Sequence, residues 1–257
     1  EERTALEAGM SLIIEKIVTR NVFTEVNKQP VKSLIKVPIV NIFIRKKIKK
    51  KLINFFGGNL VEVVVGGAAI NKEVERFLRF INFPYTVGYG MTECIPIIAY
   101  AYWSEFKERS CGRIVDRMEA KIDSSNPERE VGEILVRGTN VMLGYYKNEA
   151  ATNEVMLPDG WMKTGDLGIL DKDNFLFIKG RNKNLILGSS GQNIYPEEIE
   201  DKLNNSPSIL ESLVIEVNSK IVALIVPDED YMKEQEIGKE DYDKFFDNEV
   251  KLINETL

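Results

Sequence analysis

A chain of 257 residues with 44% hydrophobic content can bury a substantial core and has room for more than one domain. Its formal net charge of -6 argues against a general nucleic-acid binder, which shows a basic face. There is no histidine, which excludes Ser-His and Cys-His nucleophile pairs and histidine metal sites within this chain.

The two cysteines, Cys94 and Cys111, can make at most one bridge, so a reducing, cytoplasmic setting is expected. Cys94, beside Glu93, reads as a small buried residue rather than a nucleophile. No apolar run of about twenty residues suggests a membrane span. The chain opens on Glu1-Glu2-Arg3 without a methionine, and a piece of a longer protein is expected.

Residues 5–26 and 31–56 read mainly as helices. In the second, Ile44, Ile48, Leu52 and Phe55/Phe56 recur at helical spacing, while Arg45, Lys46, Lys47, Lys49, Lys50 and Lys51 fill the other face. That face is either simply solvated or suited to anionic lipid, so residues 42–56 are a candidate peripheral membrane contact. Gly57-Gly58 ends the helix. Residues 61–65 are expected as a buried strand running into Gly66-Gly67-Ala68-Ala69. Asn71 is placed to cap a helix over 72–81 with Val74, Phe77, Leu78 and Ile81 as its buried stripe, and 83–87 is the next strand. This order predicts an α/β sheet.

From Cys111 the texture changes to short strands and turns. Residues 117–123, 131–137, 141–145 and 166–170 are expected as strands, and a hairpin tipped by Asp171-Lys172-Asp173-Asn174 leads into 175–178. The polar run Gly180-Arg181-Asn182-Lys183-Asn184 marks a boundary. Beyond it come a strand at 185–187, a loop at 188–191 and a helix that Pro196, Glu197 and Glu198 start well. A hairpin follows, 212–217 with 220–226 across Asn218-Ser219, and the acidic tail holds a final helix.

The chemistry concentrates in Gly88-Tyr89-Gly90-Met91-Thr92-Glu93. A ring suits a flat base, a hydroxyl suits a phosphate oxygen, and a carboxylate suits a hard cation. The small residues after 61–65 leave backbone exposed at a strand's carboxyl end, where open α/β sheets bind ligands. On residue chemistry this is a candidate Mg-nucleotide site.

Gly66-Gly67-Ala68-Ala69, Gly88 to Glu93, Gly132 to Gly138 through Gly144-Tyr145-Tyr146, Gly160-Trp161 with Thr164-Gly165-Asp166, and Gly180-Arg181 through Asn193 to Glu200 stand in a fixed order. Together they resemble the ordered signature of the adenylate-forming (AMP-dependent synthetase and ligase) superfamily, with a long-chain fatty acid–CoA ligase flavour. The resemblance implies an α/β portion of the large AMP-binding domain over 1–110, a β subdomain of it over 111–181, and an incomplete, mobile, small α+β C-terminal domain over 182–257.

It also implies roles. Tyr89 would lie against adenine, with Gly67, Ala68, Gly90 and Met91 around the base. Thr92 would bond the α-phosphate and Glu93 would help hold Mg²⁺. Asp166, taken to sit at a strand end, would accept from both ribose hydroxyls. Arg181 would reach the ribose or the phosphate edge, and Lys183 would be the hinge. Gly191 would flank the pantetheine channel, while Gly132 and Gly144 are structural.

The family's Ser/Thr/Gly-rich phosphate loop and its late catalytic lysine are absent from the sequence, so this stretch alone is expected to be inactive. The implied cofactors and substrates are ATP, Mg²⁺, a fatty acid and CoA. An acyl carrier protein, an aryl acid or an amino acid is the alternative, and a non-catalytic nucleotide-binding or interaction protein is the rival class.

Overall fold

A computed structural model describes residues 38–67, 70–188 and 191–254. The helix expected over 5–26, together with Ala68, Ala69 and Ser189-Ser190, lies outside the described residues. Packing of the backbone divides the chain into two compact units. The first holds the described residues up to Thr164 with Gly168–Ile178, and the second holds Gly165–Leu167 with Lys179 onward.

The first described element of the first unit is α1 (Pro38–Phe55). Leu52 is buried in the first core, and Ile48, Ile53 and Phe56 pack against it, whereas Phe55 faces outward. Gly57 and Gly58, at φ +87° and +88°, adopt the left-handed geometry that ends a helix and lets Gly58 N–H donate to the Ile53 carbonyl at 2.9 Å.

Strand β1 (Val63–Val65) pairs in parallel with β2 (Tyr85–Val87), and α2 (Lys72–Phe80) forms the crossover. The start of α2 is fixed by Asn71, whose Oδ1 accepts from Glu73 N–H at 2.9 Å and Val74 N–H at 3.2 Å. Its expected stripe of Val74, Phe77, Leu78 and Ile81 is fully buried. Strand β1 is shorter and less buried than expected. Val65 points inward but Val64 is 51% exposed, since alternate residues of a strand face opposite sides and α2 covers only one.

Strands β3 (Tyr89–Gly90), β4 (Ile97–Tyr100) and β5 (Arg113–Ile114) form an antiparallel sheet. A sequential sheet follows: β6 (Met118–Asp123), β7 (Gly132–Gly138), β8 (Met162–Leu170) and β9 (Leu176–Arg181). Ile98, Ile134, Val136, Met162 and Leu176 close the second core without exposed surface. Between β8 and β9, Asp171 Oδ1 accepts from the N–H of Asp173 and of Phe175, both at 2.9 Å, and shapes the expected tip.

The strand expected at 141–145 does not form. Val141 N–H donates to Gly138, Met142 N–H donates to Glu93, and Leu143 stands wholly in solvent, so this run joins no ladder. A short helix, α3 (Glu149–Val155), follows it, capped by Asn148.

The second unit contains β10 (Ile186–Leu187) paired with β11 (Asn193–Ile194), then α4 (Pro196–Leu203). Strands β12 (Ile209–Val217) and β13 (Lys220–Pro227) make the expected hairpin. Its turn residues Asn218 and Ser219 have φ of +51° and +61°, as a tight two-residue turn requires. Helices α5 (Glu229–Glu234) and α6 (Tyr242–Asn254) complete the unit. One face of the hairpin packs with Leu203, Ile199, Phe246 and Val250, an α+β arrangement.

Candidate active site

In the first unit, Tyr89 sits on β3 opposite Ala99, half-buried, with its side chain packed against the second core. A Cβ at Gly90 would stand 1.9 Å from the Pro96 carbonyl oxygen, so only glycine lets the β3–β4 hairpin close. That approach is internal to the protein, which gives Gly90 a structural reason of its own. Met91 likewise packs against the second core. Gly67 is exposed just beyond β1.

Thr92–Cys94 forms one 3₁₀ turn, ended by Ile95 in the left-handed region at φ +50°. Thr92 is exposed, Glu93 half-buried and Cys94 fully buried. Burial, with a smaller contribution from the Glu93 charge, pushes the Cys94 thiol up to about 11, so it remains an inert thiol at neutral pH. The turn thus sends the hydroxyl and carboxylate outward and anchors itself through the cysteine.

Three residues from the segment after β7 hold this turn. Asn140 Nδ2 donates to the Cys94 carbonyl at 2.6 Å and the Ile97 carbonyl at 3.3 Å. Met142 N–H donates to the Glu93 carbonyl at 2.7 Å. The Tyr145 hydroxyl donates to Glu93 Oε1 at 2.9 Å. Partial burial first, and this bond second, raise the tyrosine's pKa and keep it a donor. Asn140 and Tyr145 were not singled out from sequence; the only signal was the position of Tyr145 inside Gly144-Tyr145-Tyr146.

In the second unit, Asp166 lies within β8, not at a strand end, because the ladder begins earlier, at Met162. Gly165, at φ +75°, puts a left-handed kink in that strand immediately before it. Asp166 is 6% exposed, and its Oδ1 is ion-paired to Arg181 Nε at 3.1 Å. The Arg181 side chain is itself largely exposed.

Lys183 is exposed on a 3₁₀ turn, Asn182–Asn184. Asn184 Nδ2 donates to Glu197 Oε1 at 2.9 Å, tying that turn to the start of α4, a role for Glu197 beyond helix initiation. Gly191 is exposed and closes its loop by donating to the Gly188 carbonyl at 2.8 Å.

The donor set suits a magnesium nucleotide. No group of three or more cysteine, aspartate or glutamate side chains that could hold a metal ion occurs among the described residues, so these form no all-protein cation cage. A lone carboxylate beside a hydroxyl fits Mg²⁺, which takes one or two carboxylates and fills its shell with phosphate oxygens and water.

Residues 2–146 match the model of the AMP-binding enzyme family, and the chain belongs to that family. Its fold is part of the adenylate-forming enzyme fold. It is 37% identical over 166 residues to the long-chain-fatty-acid–CoA ligase FadD15 of Mycobacterium bovis, covering 65% of this chain and 26% of that protein. It is equally 37% identical over 180 residues to 4-coumarate:CoA ligase 1 of Petunia hybrida, covering 65% of this chain and 33% of that one. The chain therefore spans a minor part of these relatives' length.

Among solved structures, o-succinylbenzoate CoA synthetase (MenE) from Bacillus subtilis, in complex with its acyl-adenylate intermediate, aligns with TM-score 0.62 at 30% identity. That alignment covers 76% of this chain and 44% of the other. The same enzyme in complex with ATP and magnesium ion aligns with TM-score 0.60. Among the described residues no helix is long and apolar enough to cross a membrane.

Proposed function

We propose that this chain is the nucleotide-gripping part of an ATP-dependent acid–thiol ligase. A fatty acid carboxylate attacks the α-phosphorus of ATP and pyrophosphate leaves; the CoA thiol then attacks the acyl carbonyl of the acyl-adenylate and AMP leaves. The observation that carries this reading is the Thr92–Glu93 turn, a hydroxyl and a carboxylate held toward solvent by Asn140, Met142 and Tyr145.

In this reading Thr92 donates to the α-phosphate and Glu93 holds magnesium. The bound cation neutralises phosphate charge, which this reaction needs more than it needs proton transfer. Tyr89 lies against adenine beside Gly67, Ala68, Gly90 and Met91. Asp166, with its orientation fixed by Arg181, accepts from the ribose hydroxyls. Lys183 serves as hinge for a small domain over 182–257, the large-domain part runs over 1–110 and 111–181, and Gly191 flanks the thiol's path. Free thiols at Cys94 and Cys111 suit a cytoplasmic setting. By itself the chain is expected to turn over negligibly.

A fatty acid is favoured by relatives named long-chain-fatty-acid–CoA ligases. An aryl acid is the second reading, supported by the coumarate and succinylbenzoate enzymes. A panel of acids, with CoA or acyl carrier protein as acceptor, on the full-length enzyme separates them. For the site, calorimetry of AMP binding to wild type and Asp166→Ala is the test. A loss of at least about tenfold is expected from removing a two-point carboxylate grip. Unchanged affinity removes Asp166 from the site.

A further inference from the structure

Helix α1 carries a surface that nucleotide binding does not use. Its inner side packs through Ile48, Leu52 and Ile53. Two of its cations are engaged within the fold: the Arg45 guanidinium lies 3.8 Å from the centroid of the Phe80 ring, and Lys49 Nζ lies 5.7 Å from that of Trp103. Lys46, Lys47, Lys50 and Lys51 instead project into solvent.

Among these lysines stand large apolar side chains, Phe43 at 69% and Ile42 at 54% exposure. Phe43 shares a helix face with Lys46, Lys47 and Lys50, which follow it at helical neighbour spacings. The helix contains no acidic residue, although the whole chain carries a net charge of -6.

We propose that this face docks on an anionic lipid surface, with the lysines at headgroup phosphates and Phe43 and Ile42 at the acyl boundary. A nucleic acid would meet the lysines with phosphates and can stack a base on Phe43, but it offers no apolar seat for the aliphatic Ile42. The bilayer interface takes both kinds of group, and long lysine side chains reach the headgroups while the ring sits deeper. The acidic remainder of the molecule is repelled by the same lipid, so α1 sets the orientation. The inference is independent of the nucleotide reading, since none of these residues belongs to that site.

The test is co-sedimentation of the chain with phosphatidylcholine vesicles, with or without a large share of phosphatidylserine. Binding is expected only to the phosphatidylserine vesicles. Each lysine at the surface contributes on the order of a fivefold gain in partitioning, so Lys46→Glu with Lys50→Glu should lower it by well over about tenfold. Phe43→Ser should also weaken it, while Lys172→Glu, at the exposed tip between β8 and β9, should not. Equal binding to both vesicle types, or equal losses from Lys172→Glu and the α1 double variant, overturns the proposal. So does unweakened vesicle binding by Phe43→Ser alongside tight binding of an RNA oligomer, which would mark a nucleic-acid surface instead.

Discussion

Glu93 is fixed at both ends, its side chain by the Tyr145 hydroxyl and its main-chain carbonyl by Met142 N–H. A flexible carboxylate pays conformational entropy when it binds a cation, and a hydrogen bond made beforehand lowers that cost. Tyr145→Phe keeps the ring and removes only the donor. It is expected to weaken Mg-ATP binding by about three- to tenfold, the worth of one hydrogen bond, with AMP binding in the absence of magnesium unchanged. Equal weakening of both ligands would mean that Tyr145 supports the fold and not the carboxylate's position. The contact was illegible in the sequence because its partners are 52 positions apart. Thr92 and Glu93 themselves could be read because ring, hydroxyl and carboxylate fall within one short run, Tyr89 to Glu93.

At the scale of elements, what could be read was what is local. Helix α2 announces itself through Asn71 and a regular apolar stripe, and the 218–219 turn through residues that tolerate positive φ. Helix α3 buries no residue, so it leaves no stripe to find. The run 141–145 has strand-forming side chains, yet strands exist only through a partner, and among the described residues none pairs with it.

Helix α2 also carries a buried carboxylate that its apolar stripe does not announce. Glu75 is 0% exposed and accepts from Arg109 N–H at 3.0 Å and from the Tyr85 hydroxyl at 3.4 Å. Burial raises its pKa above the ordinary 4.5, outweighing the contacts with Arg109 that lower it. The folded state therefore favours the protonated form, and the stability this contributes is present below the ordinary value and lost as pH rises through the raised one. The melting temperature of wild type minus that of Glu75→Gln should fall as pH rises from 4.5. A difference that stays level or grows would show that Arg109 outweighs burial.

For the whole molecule, an ordered series of short motifs identifies the family where single motifs would not, because each constrains a different element of one fold. The family match and the aligned structures agree with that family. Acyl specificity is a property of pocket walls, which no short motif encodes. The central claim is the proposal that Glu93 serves the nucleotide's phosphates through a cation. The magnesium dependence of ATP affinity, measured by calorimetry for wild type and Glu93→Gln, tests it most directly. Magnesium should tighten ATP binding strongly in the wild type and several-fold less in the variant, with magnesium-free affinity alike in both. An equal magnesium gain in the two proteins would contradict the assignment.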